Sequence, residues 1–328
     1  MKNDFLYGFR ILGGVFNDRN LVLAGKALDG YSRCDPFAKI DCESYLSAFR
    51  FDKVFADYLT EKGSPKGYTG PTWSEWLWFD IDRDDLTEAL KDVRKLVVWL
   101  FSRFGTLAGD ELLLFFSGSK GFHVGIQTEL WRPEPAINFH DQCRCFAETI
   151  AEQSEIAIDS GVYDRVRAFR APNSRHPKTG RHKRFLELSE LMTLETDEIT
   201  KLADNPRPFT FAKSTLNREA VRMWYTAAST VEERQKQIKQ RRIARTSNGD
   251  AGFSYLSVTR ATMEFIRDGA ASGDRHRRLF SAAANLGEFG CNFELAWALL
   301  SESALDCGLS PSDVRRQIEC GLTHGGSR

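Results

Sequence analysis

The sequence has no excess of charge of either sign. Its 328 residues carry 45 Lys and Arg against 45 Asp and Glu, for a formal charge of zero. Neutrality does not exclude a polyanionic partner, because affinity depends on where the charge sits. Long apolar runs are also missing. The longest, "KLVVWLF", is far too short to cross a bilayer, and "MKNDFLYGFRILGG" at the start has no apolar core of a signal peptide. A soluble, cytoplasmic chain with no membrane partner is therefore expected. Seven cysteines, an odd number in a chain this long, do not read as a disulfide framework. No internal repeat, low-complexity tract or GxxxxGK[ST] phosphate loop occurs. What is present is 42% apolar and 12% aromatic content, enough for substantial cores in about two domains.

Aromatic and aliphatic residues at three- and four-residue spacing predict a helix over 44–62, followed by a loop over 63–72. "EWLWFDI" (75–81) reads as a buried strand, and "DDLTEALKDVRKLVVWLFSRFG" (84–105) as a helix that begins with acidic caps and ends at Gly105. "ELLLFFSGSKGFHVGIQ" (111–127) reads as two strands joined by a tight turn. A helix over 136–153, a short strand over 156–159 and another over 184–188 follow. Alternation of this kind implies a sheet with helices packed on it. Beyond about residue 205 the character changes. A charged, apolar-poor helix (226–252) runs into a Ser/Asn/Gly/Asp linker, and 254–322 contains only short helices that start at capping residues and stop at Gly. The expected division is 1–205, a helical linker over 206–253, and a small all-helical domain over 254–328.

Three stretches carry candidate chemistry. In "WLWFDIDRDD", residues two apart on a strand share a face, so Asp80 and Asp82 project together. Paired carboxylates repel unless a hard cation such as Mg²⁺ or Mn²⁺ neutralises them; a solvated strand end is the bland alternative. In "SGSKGFHVGI", glycines flank Lys120, while Ser117, Ser119 and His123 add donors that suit a phosphate chain; a Gly-rich hairpin with a core histidine is the alternative. The third is "RVRAFRAPNSRHPKTGRHKR" (165–184), which gathers eight Lys and Arg without one acidic residue. Arg167, Arg170, His176 and Lys178 lie in it, and Asp159 and Asp164 lie just upstream. Asp159 could equally initiate a turn before Ser160-Gly161.

Taken in order, these three stretches resemble the motifs of the archaeo-eukaryotic primase superfamily, the primase-polymerases. "WLWFDID" is similar to its hydrophobic-DxD motif, "SGSKGFH" to its small-Gly-x-Lys-Gly-x-His hairpin, and "IDSGVYDRVRAFRAPNSRHPKTGR" to its Asp-plus-basic third motif. The resemblance covers residues 70–190. Residues 254–322 resemble the helical domain that follows the catalytic domain in plasmid and phage primases. The resemblance implies an α+β fold in which an RRM-like sheet module and a second α/β module surround a cleft, followed by the helical domain. It implies Asp80, Asp82 and Asp159 as carboxylates for two Mg²⁺ or Mn²⁺ ions, with Asp164 competing for the third place. It implies Ser117, Ser119, Lys120, His123, Arg167, Arg170, His176 and Lys178 as ligands of the incoming nucleotide. The expected activity is primer synthesis on a single-stranded DNA template from NTPs or dNTPs, for a plasmid, phage or mobile element. No Walker A helicase motif occurs here, so any replicative helicase is expected either as a separate partner protein or beyond this stretch of sequence. The C-terminal helices, with Arg275, Arg277, Arg278, Arg315 and Arg316, would hold template or the initiating nucleotide; a solvated face explains these arginines equally. Two alternatives stay open: a gap-filling repair polymerase that only extends primers, and a non-catalytic replication initiator or single-strand-binding module. The zinc-binding insertion of replicative relatives is reduced to His140, Cys143 and Cys145. Three soft ligands, with Cys34 or Cys42 an unsupported fourth, argue against zinc.

Overall fold

The computed structural model describes residues 2–247, 258–271 and 273–325, with side chains described except over 241–247. It forms two compact units, Met1–Val231 and Glu232–Arg328. In the first, β1 (Tyr7–Leu12), β2 (Asn20–Leu23) and α1 (Ala24–Ser32) are followed by β3 (Ser44–Ser47) and α2 (Lys53–Lys62). Then come β4 (Trp76–Asp82), α3 (Leu86–Arg103), β5 (Leu112–Phe116), β6 (Gly121–Gln127) and α4 (Phe139–Gln153). The unit is completed by β7 (Ala168–Arg170), β8 (Arg184–Phe185), α5 (Leu188–Thr193), α6 (Thr196–Leu202) and the start of α7 (Arg218–Ser247). Two four-stranded antiparallel sheets result, ordered β2-β1-β3-β7 and β4-β6-β5-β8. The fold is therefore α+β.

β4 explains how the second sheet is held. Its residues up to Phe79 are buried whichever way they point, so it reads as a continuous apolar run and not as an alternating one. Leu77, Phe79 and Ile81 share one face, against which α3 packs a buried stripe of Ala89, Leu90, Val93, Leu96, Val97 and Leu100. Trp76 and Trp78 share the other face with Asp80, and Trp78 meets Phe115 and Phe169 there, at 6.2 and 5.5 Å between ring centres. α3 starts where the Asp85 carboxylate accepts from Thr87 N at 2.8 Å.

The predicted helix over 44–62 is two elements. Ser44–Ser47 pairs with β1 and β7, and the helix begins only after Asp52, whose carboxylate accepts from Phe55 N at 3.2 Å. Phe51 stacks on Phe55 at 3.8 Å, and Tyr68 meets both edge-on; this aromatic cluster supplies the spacing that mimics one helix. Residues 156–159 form no strand. Asp159 N donates to Asp80 O at 2.9 Å, with no ladder around that bond. The strand at 184 is two residues long, and the chain turns into α5 at Leu188. The first core also extends past residue 205. Phe209, Ala220, Trp224 and Ala227 belong to it, with Trp224 packed on Trp131, Phe139 and Phe146. α7 starts at Arg218, earlier than predicted, and residues 248–253 of the expected linker lie outside the described residues.

The second unit is helical: α8 (Arg260–Asp268), α9 (Arg275–Gly287), α10 (Phe293–Asp306) and α11 (Pro311–Gly325) enclose a core built on Phe265, Leu279, Leu300, Val314 and Ile318. Gly321 was expected to stop a helix. It sits inside α11, where a Cβ would lie 2.6 Å from Ala283 Cβ and 2.7 Å from Phe280 O of α9. Glycine is there for close helix approach. Among the described residues, no helix is long and apolar enough to cross a membrane. Replacing Gly321 with Ala forces α9 and α11 apart and is expected to destabilise this unit by roughly 1–3 kcal/mol. Urea unfolding followed by circular dichroism checks it; a midpoint unchanged from wild type would mean that the two helices separate freely.

Candidate functional site

The antiparallel register of β4 and β6 sets Asp80 opposite His123 and Asp82 opposite Gly121. Cross-strand neighbours of this kind lie within reach of each other's side chains. His123 Nε2 is 3.4 Å from Asp80 Oδ1, and Lys120 Nζ is 3.8 Å from Asp82 Oδ2. A Cβ at position 121 would collide with the Asp82 carboxylate and with Ile81 O, so only glycine lets that carboxylate lie across the strand.

The β5–β6 turn is organised by Ser117. Its hydroxyl accepts from Gly121 N at 3.2 Å and Ser119 N at 3.4 Å, and Gly118 adopts φ +86°. The basic loop docks on this turn. Thr179 Oγ1 donates to Gly118 O at 2.6 Å, and a Cβ at Gly118 would meet Arg181 O and His182 O at 3.1 Å. Within the loop, His176 Nδ1 accepts from Lys178 N at 3.2 Å and from Thr179 N at 3.4 Å. Arg170, on β7 opposite Tyr45 of β3, stands over the Tyr45 ring at 5.4 Å.

These elements surround one cleft of ≈370 Å³. Asp80 and Asp82 line it from β4. Ser117, Ser119, Lys120 and His123 line it from the hairpin, and Arg167, Arg170, His176 and Lys178 from β7 and the basic loop. The sequence candidates from three distant stretches are thus brought together, with the exception of Asp159. That residue is adjacent through its backbone bond to Asp80, but its carboxylate accepts from Gly161 N at 2.8 Å and faces Arg167 at 3.7 Å. Asp164 turns to α4, where Arg144 lies 3.5 Å from it. Of the two, Asp159 is the one next to the pair.

Burial and charge shape the site. Burial pushes Asp80 up, but His123, Lys183 and Arg167 outweigh it and hold the carboxyl below its ordinary range. Burial, then the neighbouring Asp80 and Asp159 charges, raise Asp82 against the pull of Lys120. Burial and the nearby Lys183 push His123 down to about 4, although Asp80 opposes them, so its imidazole is neutral near pH 7. The sequence reading missed two residues of this neighbourhood. Tyr45 was hidden in the stretch that looked like one helix. Lys183, fully buried, was hidden among the half-buried and exposed cations of its own segment; nothing local distinguishes it from Arg181 or Arg184.

Whether the residues suit a metal ion can be judged from the donors themselves. Asp80 Oδ1 is buried without a hydrogen-bond partner, the 3.4 Å contact to His123 lacking hydrogen-bond alignment. Asp82 carries the raised affinity for positive charge of a crowded carboxylate. Oxygen donors of this kind fit a hard divalent cation. The three carboxylates do not close around a point, and among the described residues no three His, Cys, Asp or Glu converge into a metal cage. Cys143 is buried in the core beside Phe139, Phe146 and Ile150.

No family model matches this sequence, and no curated protein matches it. Among solved structures, the chain is similar to the crystal structure of primase RepB' over 99% of this chain and 95% of that one, with 13% identity and a TM-score of 0.35.

An unfolded histidine takes up its proton near 6.5, while His123 and His140, the latter also buried, do so only near 4 in the fold. Between those values the unfolded chain binds more protons. The contribution of these groups is therefore complete above about pH 6.5 and falls as pH drops toward 4, by at most about 3 kcal/mol for each. Melting temperature measured against pH should show this slope, and His140→Gln should flatten it. A slope unchanged by that variant would mean that His140 is protonated inside the fold.

Proposed function

We propose that this chain is a DNA primase or primase-polymerase, which joins nucleotides on a single-stranded DNA template to make primers for a plasmid, phage or mobile element. The observation that carries the reading is the confrontation, across one cleft, of the Asp80/Asp82 pair with the Ser/Lys/His hairpin and the Arg/His/Lys loop, in the chain order that resembles the archaeo-eukaryotic primases. In this reading β4, β6, β5 and β8 form the RRM-like module, and the sheet of β1, β2, β3 and β7 forms the second. The C-terminal helices contact template or the initiating nucleotide.

The electrostatics favour a triphosphate in this cleft. Lys120, Arg167, Arg170 and Lys178 supply positive charge at separated points, so a chain of phosphates is gripped along its length. Ser117 and Ser119 add hydroxyl donors that turn to suit the ligand. His123, being neutral, gives a hydrogen bond without adding to the cationic field, and its Nδ1 is buried with no hydrogen-bond partner. As the bond to the leaving pyrophosphate breaks, charge moves outward onto the β- and γ-phosphates, where the cations wait already oriented. Asp80 and Asp82, with Asp159 as third carboxylate, would hold Mg²⁺ or Mn²⁺. When bound, such ions acidify a 3′-hydroxyl and stabilise charge at the reacting phosphorus. Their removal leaves Asp80 and Asp82 as anions facing a polyanion, which repels the substrate.

Asp82→Ala is expected to lower nucleotide incorporation by at least ~100-fold, while single-stranded DNA binding stays the same or tightens. Wild-type incorporation by this variant would overturn the assignment. A chelator should stop synthesis, and Mg²⁺ or Mn²⁺ should restore it. Primer-free synthesis on single-stranded DNA, supplied separately with NTPs and dNTPs, tests priming itself. Product made only when a primer is present would identify an extending polymerase instead.

A further inference from the structure

Lys183 has no exposed surface, and among the described residues no carboxylate comes within ion-pair distance of it. A lysine in such a place is costly and needs compensation. It has two kinds. Nζ donates to Arg170 O at 2.8 Å, and it stands over three aromatic rings, Phe169 at 4.3 Å, Phe115 at 4.9 Å and Trp78 at 5.0 Å. Trp78 and Phe115 belong to one sheet, while Phe169 and Arg170 belong to the other. The Lys183 amine therefore ties the two sheets together at the strand that carries Arg170, burial pulling its proton affinity well below that of an ordinary lysine.

A second cavity gives this tie its meaning. Behind the cleft lies a space of ≈60 Å³ bordered by Trp76, Trp78, Leu46 and Lys183, and Phe169 and Arg170 border both spaces. These two residues are thus a wall between the cleft and the rear cavity. The wall belongs to β7, which is three residues long and lies at the edge of its sheet. Phe169 and Arg170, consecutive on the strand, point to its two sides: the Phe169 ring packs on His123 at 4.5 Å between ring centres, and Arg170 stands over the Tyr45 ring, and both border the cleft. A short edge strand backed by empty space can yield backwards. Lys183 borders that space and not the cleft, so it meets the wall from behind.

We infer that Lys183 is a positioning residue, a prop that holds the Phe169–Arg170 wall forward so that Arg170 and His123 keep their places toward the triphosphate. The role in catalysis rests on the proposed function; the mechanical role does not. Lys183→Met keeps the length and apolar stem of the side chain and removes the donor. Hydrogen exchange and steady-state incorporation are measured on the full-length protein. In Lys183→Met, amides of residues 168–171 are expected to exchange at least ~10-fold faster, with the global melting temperature unchanged or raised. The KM for the incoming nucleotide is expected to rise at least ~5-fold with kcat little altered, the pattern of a lost binding contact. Lys183→Gln, which restores a neutral donor, should recover part of both effects, and it is the variant to read if Lys183→Met does not fold.

Unchanged exchange at 168–171 overturns the prop, whatever the activity. Faster exchange accompanied by an equal fall in melting temperature also overturns it, since any core residue would do that. Faster local exchange with wild-type KM overturns the link to the nucleotide. If the wild-type protein incorporates nothing while the exchange effect is seen, the primase reading fails and the prop stands.

Discussion

Two carboxylates one residue apart on a strand, pressed to the same side, form the constraint on which this site depends. Like charges at that spacing are unfavourable, and more so where burial thins the solvent. The fold meets the problem by surrounding the pair with basic groups from elsewhere in the chain: Lys120 across the hairpin, Arg167 just before β7, Arg170 on it, and Lys183 behind. The basic segment that looked anomalous in a neutral protein is the counterweight to these acids. Neither half is comfortable alone, which gives the folded chain an electrostatic reason to bring its two sheets face to face.

The aromatic layer between the sheets makes that arrangement sharper. Trp78, Phe115, Phe169 and the His123 ring lie in contact immediately below the charged groups. They keep water out of the floor, so charges above them act over longer distances than they would on an open surface. Buried rings next to them in the chain also fix the direction in which the polar groups point: Phe79 beside Asp80, Phe169 beside Arg170 and Phe122 beside His123. The same layer admits Lys183, whose amine rests on ring faces in place of a carboxylate.

The sequence made parts of this legible and concealed others, for physical reasons. Strong signals were local ones. The apolar run before Asp80, the capped helix after it and the SGSKG hairpin each state their structure in consecutive residues, and all three fold as expected. The helix read over 44–62 failed because a cluster of aromatics serving tertiary packing imitated helical periodicity. Residues 156–159 were apolar enough for a strand, yet what holds them beside β4 is one backbone bond from Asp159 to Asp80 and an arginine on Ala157 O, with no ladder, which no pattern announces. Lys183 was invisible because burial is decided by the residues above it, which come from β4, β5 and β7. Gly321 was read as a stop since sequence cannot tell a glycine that ends a helix from one that lets another helix approach.

The clasp between Thr179 and Gly118 limits how this site can change. Because the hairpin and the basic loop share that bond, and Gly118 is bare so that the loop's carbonyls can sit against it, the two gripping segments form a single jaw. Neither can drift by substitution without its fellow. A variant bearing a longer hairpin, or a loop borrowed from elsewhere, would meet a neighbour shaped for the original, so diversification here has to proceed by paired steps.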